Sequence, residues 1–245
     1  NLRRGGAHFG NHSGGDIVIV GSLKTRLRTK WDRTKIRMSL VEGLVAGLAE
    51  LKIVVTKIDQ ARLIQYVGLI EKWNKIHNLT AIRDPQQMLT HHILDSLAVL
   101  PYLGDAHSLA DVGSGAGLPG LVIAVARPDW RVTTVDAVAK KAAFVRQAAG
   151  ELQLGNLEAI HGRAESLPAL PAFDLITCRA LSALGEFTAA SRHCLSEQGV
   201  WAAMKGVDPA EEVASLRPGT SVFHVEPLRV PGLDAARCLV WIRPN

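Results

Sequence analysis

The stretch of sequence that decides the fold is Leu109-Ala110-Asp111-Val112-Gly113-Ser114-Gly115-Ala116-Gly117-Leu118-Pro119-Gly120. A short apolar run ends near an aspartate, a glycine-rich turn follows, and a helical apolar pattern begins after it. Glycines permit positive φ angles and leave no Cβ between the backbone and a ligand. The first amide groups of the following helix have no partner within that helix. Because open α/β sheets bind ligands at the carboxyl ends of their strands, the turn predicts an adenosyl or phosphate ligand.

Two glycine frames overlap in this turn. Gly113-x-Gly115-x-Gly117 is typical of methyltransferases, whereas Gly115-x-Gly117-x-x-Gly120 is typical of nicotinamide-dependent oxidoreductases. Asp111 favours the first frame, because its carboxylate would repel a pyrophosphate but attract the ammonium and sulfonium charges of S-adenosylmethionine. Asp136, at the end of the next predicted strand, can accept hydrogen bonds from a ribose diol in either class. A methyltransferase is therefore favoured, with the oxidoreductase as the alternative and a turn without a ligand least favoured.

Downstream of Gly104, short apolar runs alternate with helical stretches, which is typical of βαβ units and a parallel sheet. The predicted strands span residues 108–112, 131–136, 157–161, 173–178 and 199–205, and the predicted helices begin near Gly117, Lys140 and Gly185. Two last strands, 222–228 and 237–242, are joined by Pro231-Gly232, too closely for a helical crossover, so they should pair antiparallel. The predicted fold class is α/β: a Rossmann-like class I methyltransferase sheet, parallel with an antiparallel terminal hairpin.

Upstream of the sheet, residues 38–103 have a helical pattern. Apolar side chains recur at spacings of three and four along one predicted face: Leu63, Val67, Ile70 and Trp73. At this spacing Trp73 is predicted to lie in the core. Asp84-Pro85 is typical of a helix start. We therefore predict a small helical domain at 38–103, followed by a cofactor-binding methyltransferase domain at 104–245.

The positive charge of the chain is concentrated at one end. The 245 residues carry a formal net charge of +5, yet residues 1–37 hold nine basic and two acidic side chains, whereas residues 38–245 hold 19 basic and 21 acidic ones. The global charge therefore says little about the partner of the folded part. Residues 1–37 are predicted to be a disordered or extraneous basic leader. The alternative is a basic arm that holds RNA phosphates.

The apolar runs are too short for a membrane span, which needs roughly 20 consecutive apolar residues. The three cysteines, Cys178, Cys194 and Cys238, are odd in number and widely spaced, which favours a reducing, cytoplasmic location without a disulfide framework or a cysteine metal site. His91 and His92 are adjacent on a predicted helix and point about 100° apart, so they cannot chelate one metal together. No metal is predicted.

The sequence resembles the RsmG (GidB) family across residues 38–245. The motifs that carry the resemblance are Glu71-Lys72-Trp73-Asn74-Lys75, Asn78-Leu79-Thr80, Arg83-Asp84-Pro85, His92-Ile93-Leu94-Asp95-Ser96, Asp111-Val112-Gly113 and Leu118-Pro119-Gly120. Further matches are Arg163-Ala164-Glu165, Arg179-Ala180 and Lys205-Gly206. At position 116 this sequence has alanine, whereas some members of the family have proline. Residues 1–37 have no counterpart in the family.

The resemblance implies an S-adenosylmethionine-dependent enzyme that methylates N7 of a guanine in 16S rRNA near the decoding site. Its partner would be 16S rRNA or the small ribosomal subunit, and we expect a monomer. The cofactor contacts carried over by position are Gly113, Leu118, Ala164, Glu165 and Arg179. Asp111 and Asp136 are added as ligand contacts from their own chemistry, and Gly115 is expected to shape the turn.

Guanine N7 carries a lone pair and no proton, so the expected reaction is a direct in-line displacement without a general base or a covalent intermediate. Positioning alone can be worth up to about 7–11 kcal/mol of the barrier. The residues predicted to position the substrate, through its phosphates or its O6 atom, are Arg163, Arg179 and Lys205.

Three interpretations compete with this one or refine it. Cys178 could be the nucleophile of a cytosine-C5 methyltransferase, although a cysteine in an apolar strand is more often a buried small hydrophobe. The chain could instead be an RNA-associated module that binds the cofactor without catalysis. The helical region also contains a polar cluster, which comprises Asn78, Thr80, Arg83, His92 and Asp95. We predict that this cluster caps and packs the helices, and the alternative is that it contacts RNA.

Overall fold

The structure is a computed structural model that describes residues 16–179, 183–206, 209–214 and 216–245, without the side chains of residues 16–33. Its contacts divide the chain into two units, Asn1–Ser39 and Leu40–Asn245. The first 15 residues of the predicted leader lie outside the described residues. Helix α1 (Asp16–Leu51) crosses the boundary predicted at Met38. Side chains 34–39 are exposed, and Leu40 is the first described side chain that is buried.

Five further helical segments precede the sheet. They are α2 (Lys57–His77), α3 (Pro85–Met88), a π-helical turn (Leu89–Leu94), α4 (Asp95–Leu97) and a 3₁₀ turn (Leu100–Tyr102). Thr56 caps α2 by accepting a hydrogen bond from the amide of Asp59 at 3.1 Å. Asp84 accepts from the amide of Gln87 at 2.9 Å, and Pro85 opens the helix, which confirms the predicted start. No helix among the described residues is long and apolar enough to cross a membrane.

The sheet has seven strands in the order β3-β2-β1-β4-β5-β7-β6. Their bounds are β1 (Ser108–Val112), β2 (Arg131–Asp136), β3 (Leu157–His161), β4 (Phe173–Arg179), β5 (Leu195–Lys205), β6 (Thr220–Pro227) and β7 (Cys238–Pro244). The first three match the predicted strands residue for residue, whereas β5 begins four residues before its predicted start. Strands β1 to β5 pair in parallel, and β7 pairs antiparallel with both β5 and β6. The predicted fold class and terminal hairpin are confirmed.

Helices cover both faces of this sheet. They are α5 (Gly120–Ala126), α6 (Ala139–Glu151), α7 (Leu184–Ser191) and α8 (Ala210–Ala214). Alternate strand residues enter two separate apolar clusters: Leu109 joins the one with α2, α5 and α6, whereas Ala110 joins the one with α7. Trp73 is half-buried and packs against the first cluster, 5.4 Å from the ring of Phe144, so it lies at the edge of the core and not within it. The predicted helical region and the sheet lie within the same unit, Leu40–Asn245.

Candidate active site

Asp111 is a buried carboxylate beneath the glycine turn. Its side chain is 0% exposed, and its Oδ2 accepts a hydrogen bond from the amide of Gly120 at 2.8 Å. A Cβ on Gly120 would lie 2.9 Å from that oxygen, so glycine permits the close approach. The Oδ1 atom has no hydrogen-bond partner among the described residues. Burial raises the pKa of Asp111 to about 7, while the amide of Gly120 and the charge of Arg179 oppose that rise.

This arrangement bears on the choice between the two glycine frames. In the oxidoreductase frame, the amide at the start of α5 would be available to a pyrophosphate. Here the carboxylate of Asp111 occupies the amide of Gly120 and places an acidic group where the phosphates would lie. An unpaired, buried acceptor instead suits a ligand with an ammonium group.

Asp136 ties the turn to the end of β2. Its Oδ2 accepts from the amide of Gly115 at 2.8 Å, and its Oδ1 accepts from the amide of Val138 at 2.8 Å. Both oxygens therefore hold backbone groups, although each carboxylate oxygen has a second lone pair for a ligand hydroxyl. The amides of Gly113 and Ser114 both donate to the carbonyl of Val135. The turn is thus fixed on β2 from two sides.

Helix α2 contacts the glycine turn through the side chain of Tyr66. Its phenol is fully buried and donates a hydrogen bond to the carbonyl of Ala116. Burial raises the pKa of Tyr66 above its usual range, so the phenol keeps the proton that it donates. Gly117 has a φ of 87°, and a Cβ there would lie 3.3 Å from the Tyr66 hydroxyl and 3.0 Å from Val145. The close packing of α2 against the turn therefore depends on glycine at this position.

A cleft of about 610 Å³ opens at the carboxyl ends of β1, β2 and β3. Its wall contains four of the sequence-predicted site residues: Gly113, Arg163, Ala164 and Glu165. Ala164 and Glu165 belong to a short 3₁₀ turn after β3. Leu118, Gly115, Asp111 and Asp136 do not line this cleft; Leu118 is 2% exposed, and the other three form the hydrogen bonds beneath the turn.

A second cavity, of about 330 Å³, lies at the carboxyl ends of β4 and β5. It contains the other two predicted residues, Arg179 and Lys205. Arg179 donates to Asp95 Oδ2 at 3.0 Å and to the carbonyl of His91 at 2.9 Å, whereas Lys205 pairs with Glu212 at 2.7 Å. Six of the ten predicted residues are therefore divided between two neighbouring cavities, and the other four line neither. Ala180, the second residue of the Arg179-Ala180 motif, lies outside the described residues.

Several residues of these sites were not predicted from the sequence, above all Tyr66 and Arg237. Arg237 donates from Nε to Asp95 Oδ1 at 2.9 Å and lines the second cavity. The predicted hairpin contained a signal for it: β5 and β7 pair antiparallel with Lys205 opposite Cys238, so the residue before Cys238 must lie beside the end of β5. Glu186 and Arg217, which line the first cleft, were also missed.

Two other candidate residues, Cys178 and Arg83, have surroundings typical of structural groups. Cys178 is 1% exposed, and burial raises the pKa of its thiol well above the usual range, which does not suit a thiolate nucleophile. In the polar cluster, Arg83 donates to Asn78 Oδ1 at 3.0 Å and to the carbonyl of Asn74 at 3.1 Å. Among the described residues, no group of three or more histidine, cysteine, aspartate or glutamate side chains could hold a metal.

Comparison with known proteins identifies relatives along most of the chain. Residues 59–240 match the GidB family model, described as rRNA small subunit methyltransferase G. A protein named ribosomal RNA small subunit methyltransferase G from Acidovorax ebreus (strain TPSY) is 50% identical over 219 residues, covering 84% of this chain and 96% of that protein. One of the same name from Polaromonas sp. (strain JS666 / ATCC BAA-500) is 52% identical over 211 residues, covering 82% of this chain and 92% of its own length.

Solved structures of more distant proteins share the fold. The glycopeptide N-methyltransferase MtfA matches with a TM-score of 0.55 at 12% identity, over 66% of this chain and 100% of that one. The O-methyltransferase TomG from Streptomyces achromogenes matches with a TM-score of 0.54 at 15% identity, over 82% of this chain and 96% of that one. At this level of identity the likeness concerns the fold alone.

Proposed function

Because this chain belongs to the rRNA small subunit methyltransferase G (GidB) family, an S-adenosylmethionine-dependent family, we propose that it methylates N7 of a guanine in 16S rRNA near the decoding site. The single observation that carries the cofactor assignment is the orphaned Oδ1 atom of Asp111. A fully buried acceptor without a donor is costly unless a ligand supplies the donor. The α-ammonium group of S-adenosylmethionine is such a donor, and it also compensates the charge of the ionised carboxylate.

The first cleft is the proposed place of the adenosyl part. Gly113 lines it at the end of β1, and Glu165 presents an exposed carboxylate that can accept from an exocyclic amine. Asp136, just behind the wall, would accept a ribose hydroxyl with the second lone pair of an oxygen that already holds a backbone amide. Leu118, which is 2% exposed, would support the turn behind this cleft.

The proposed reaction needs no side chain to act as a general acid or base. When bound, S-adenosylmethionine supplies a methyl group activated by the sulfonium charge. Guanine N7 has a lone pair and no proton, so no side chain needs to remove one. The chain would contribute by positioning the two reactants. Asp111 and the glycine turn would hold the cofactor, and the cationic Arg179 and Lys205, at the ends of β4 and β5, would hold the substrate. We expect Arg163, Arg179 and Lys205 to hold phosphates or O6, because the methylated ring is itself cationic.

The proposed partner is 16S rRNA or the small ribosomal subunit, met in the cytoplasm by a monomer. A single unit, Leu40–Asn245, contains both cavities, so no second copy is needed to complete them. Light scattering of the purified protein at micromolar concentration would give the mass of one chain if the monomer proposal is right.

The reaction is tested with S-adenosylmethionine labelled in its methyl group. The substrates are undermethylated 16S rRNA and undermethylated 30S subunits, in separate reactions, and the product is digested to nucleosides and identified by mass spectrometry. We expect 7-methylguanosine. Label in 5-methylcytidine or in an amine-methylated base would contradict the N7 proposal. Binding of S-adenosylhomocysteine without turnover on either substrate would favour the non-catalytic module instead.

A further inference from the structure

The second cavity is built from parts of the chain that are far apart in sequence. The polar residues of its wall include His92 of the π-helical turn, Asp95 of α4, Arg179 at the end of β4, Lys205 at the end of β5 and Arg237 just before β7. Its volume of about 330 Å³ is at the small end of the range for ligand pockets. That size suits one small planar group better than a whole cofactor.

The charges around this cavity are unbalanced toward the positive. Asp95 is 2% exposed and lies between two guanidinium groups, 3.0 Å from Arg179 and 2.9 Å from Arg237. One carboxylate therefore offsets two arginines, and Lys205 has the carboxylate of Glu212. Among the described residues of the wall, cationic side chains outnumber carboxylates. The cavity thus favours a ligand rich in acceptor oxygen and nitrogen atoms.

His92 adds a neutral donor to this wall. Its side chain is 6% exposed, its Nε2 lies 2.9 Å from Thr80 Oγ1, and its Nδ1 has no hydrogen-bond partner among the described residues. Burial lowers the pKa of His92 to about 4, as does the charge of Arg179, while the His91 backbone and Asp95 act in the opposite direction. Thr80 Oγ1 accepts from the amide of Ile82 and has its own hydroxyl proton to donate, and we assign that proton to a hydrogen bond with Nε2 of the neutral ring. The ring proton then lies on Nδ1.

The two cavities are neighbours across Arg179. The charge of Arg179 lowers the pKa of both Asp111, beneath the glycine turn, and His92, in the second cavity. Strands β1 and β4 are adjacent, with Asp111 opposite Thr177, so Asp111 and Arg179 lie near the same edge of the sheet. A group in the second cavity therefore lies next to the proposed cofactor position.

We propose that the second cavity receives the target guanine base, and that His92 donates from Nδ1 to the O6 atom of that base. This inference rests on the proposed function and names the subsite of its substrate. O6 and N7 are adjacent acceptors on one edge of guanine, so a donor that holds O6 also fixes the place of N7. Enzymes that modify a base bring it out of the stack into a pocket of this kind. Arg237 holds Asp95 in place and contributes positive charge toward the phosphates.

Two nucleotides separate recognition of O6 from attraction to a phosphate. Guanosine 5′-monophosphate has O6, whereas 2-aminopurine riboside 5′-monophosphate lacks O6 but keeps N7 and the phosphate. Titration of each into the full chain saturated with S-adenosylhomocysteine, followed by ligand-detected NMR, gives the two dissociation constants. We expect guanosine monophosphate to bind about 3- to 10-fold more tightly, the range that one hydrogen bond supplies. Equal binding of the two nucleotides, or binding of neither, would overturn the proposal.

Two substitutions at His92 distinguish this role from a structural one. An asparagine amide reaches about the position of Nδ1, whereas a glutamine amide reaches about the position of Nε2 and can keep the contact with Thr80. We expect His92→Asn to keep the preference for guanosine monophosphate and His92→Gln to lose it. The opposite order would mean that His92 acts through Thr80, and the assignment would be wrong.

The same variants distinguish a failure of the base pocket from a failure of the proposed methylation reaction. Affinity for S-adenosylhomocysteine should stay within about twofold of the unsubstituted chain in both variants, which checks that each is folded. If the unsubstituted chain makes 7-methylguanosine while His92→Gln keeps the nucleotide preference, the assignment of His92 to O6 fails and the reaction stands. If the preference depends on His92 but no 7-methylguanosine forms, the pocket stands and the N7 reaction fails.

Discussion

At the residue scale, Asp111 affects stability and cofactor binding in opposite directions. Its protonated form stabilises the cofactor-free protein, whereas its ionised form is expected to bind the ammonium group of the cofactor. Burial raises the pKa of Asp111 from 3.8 to about 7, so the folded chain binds a proton there that the unfolded chain releases. The stabilisation from this protonated form is complete below pH 3.8 and is lost as the pH rises through 7. Since one pKa unit corresponds to about 1.4 kcal/mol, ionisation of Asp111 costs about 4 kcal/mol of the cofactor-free stability near neutral pH.

We therefore expect Asp111→Asn to stabilise the cofactor-free protein above pH 7 and to weaken cofactor binding. Urea unfolding at pH 5 and pH 8 measures the first effect: the variant should gain stability relative to the unsubstituted chain at pH 8 by more than at pH 5. The exposed Asp129 provides a control, because Asp129→Asn should change neither quantity appreciably. An Asp111→Asn variant that is less stable at pH 8 would contradict the argument.

The affinity for S-adenosylhomocysteine should depend on pH through the same group. The ionised carboxylate is the form that attracts the ligand ammonium, so the association constant should rise about tenfold per pH unit below 7 and level off above it. Calorimetric titration between pH 5.5 and 7.5 measures this dependence. Asp111→Asn should flatten the profile; an equally steep profile in that variant would assign the titration to another group.

Cys178 permits a test of the competing nucleophilic mechanism. Its thiol is buried in the strand, and burial raises its pKa, so we expect Cys178→Ala to keep kcat within about twofold, at some cost in stability from the small cavity. Cys194→Ala, another buried cysteine, provides the matched control for that cost. A folded Cys178→Ala protein that binds S-adenosylhomocysteine normally but transfers no methyl group would support covalent catalysis.

At the element scale, α2 acts on the cofactor turn through one hydrogen bond. Tyr66→Phe removes the donor to the buried carbonyl of Ala116 and leaves that oxygen unsatisfied, which costs about 1–3 kcal/mol. Because the turn forms the cofactor site, we expect a lower free energy of unfolding together with weaker binding of S-adenosylhomocysteine. Urea unfolding and calorimetry measure the two effects.

The other tyrosine of the chain is a matched control for this prediction. Tyr102 is 40% exposed, so Tyr102→Phe should leave both quantities nearly unchanged. If Tyr66→Phe lowered stability but left the affinity for S-adenosylhomocysteine intact, α2 would support the core without shaping the site.

Elements with a strong local pattern could be predicted from the sequence, whereas contacts between distant elements could not. Strand β1 was predicted residue for residue because its apolar run ends at a glycine turn, and Asp111 was singled out because it precedes that turn. Tyr66 and Ala116 are 50 positions apart, and Arg237 and Asp95 are 142 positions apart. No local spacing encodes such pairs. The helical period also predicted an ordinary helix where Leu89–Leu94 forms a π-helical turn, which brings His92 and Asp95 into the second cavity.

At the scale of the whole molecule, charge and fold are distributed differently along the chain. Residues 1–37 carry nine basic side chains, while both cavities and all the sequence-predicted site residues lie in the unit Leu40–Asn245. The first described side chains in the core are Leu40, Leu44 and Leu48 of α1, and residues 34–39 are exposed. A deletion that ends at residue 37 therefore removes charge without removing a described core side chain.

We expect the chain that begins at Met38 to keep the thermal stability and the S-adenosylhomocysteine affinity of the full chain. If residues 1–37 are extraneous, its kcat/KM on 30S subunits should also be unchanged. If they form a basic arm, binding to 16S rRNA should weaken and its dependence on salt should become shallower, since each lost phosphate contact reduces the slope of log K against log salt by about 0.7–0.9. Kinetics at two salt concentrations, for both chains, separate these outcomes. A loss of stability on deletion would contradict the argument from burial, because it would place core contacts before residue 38.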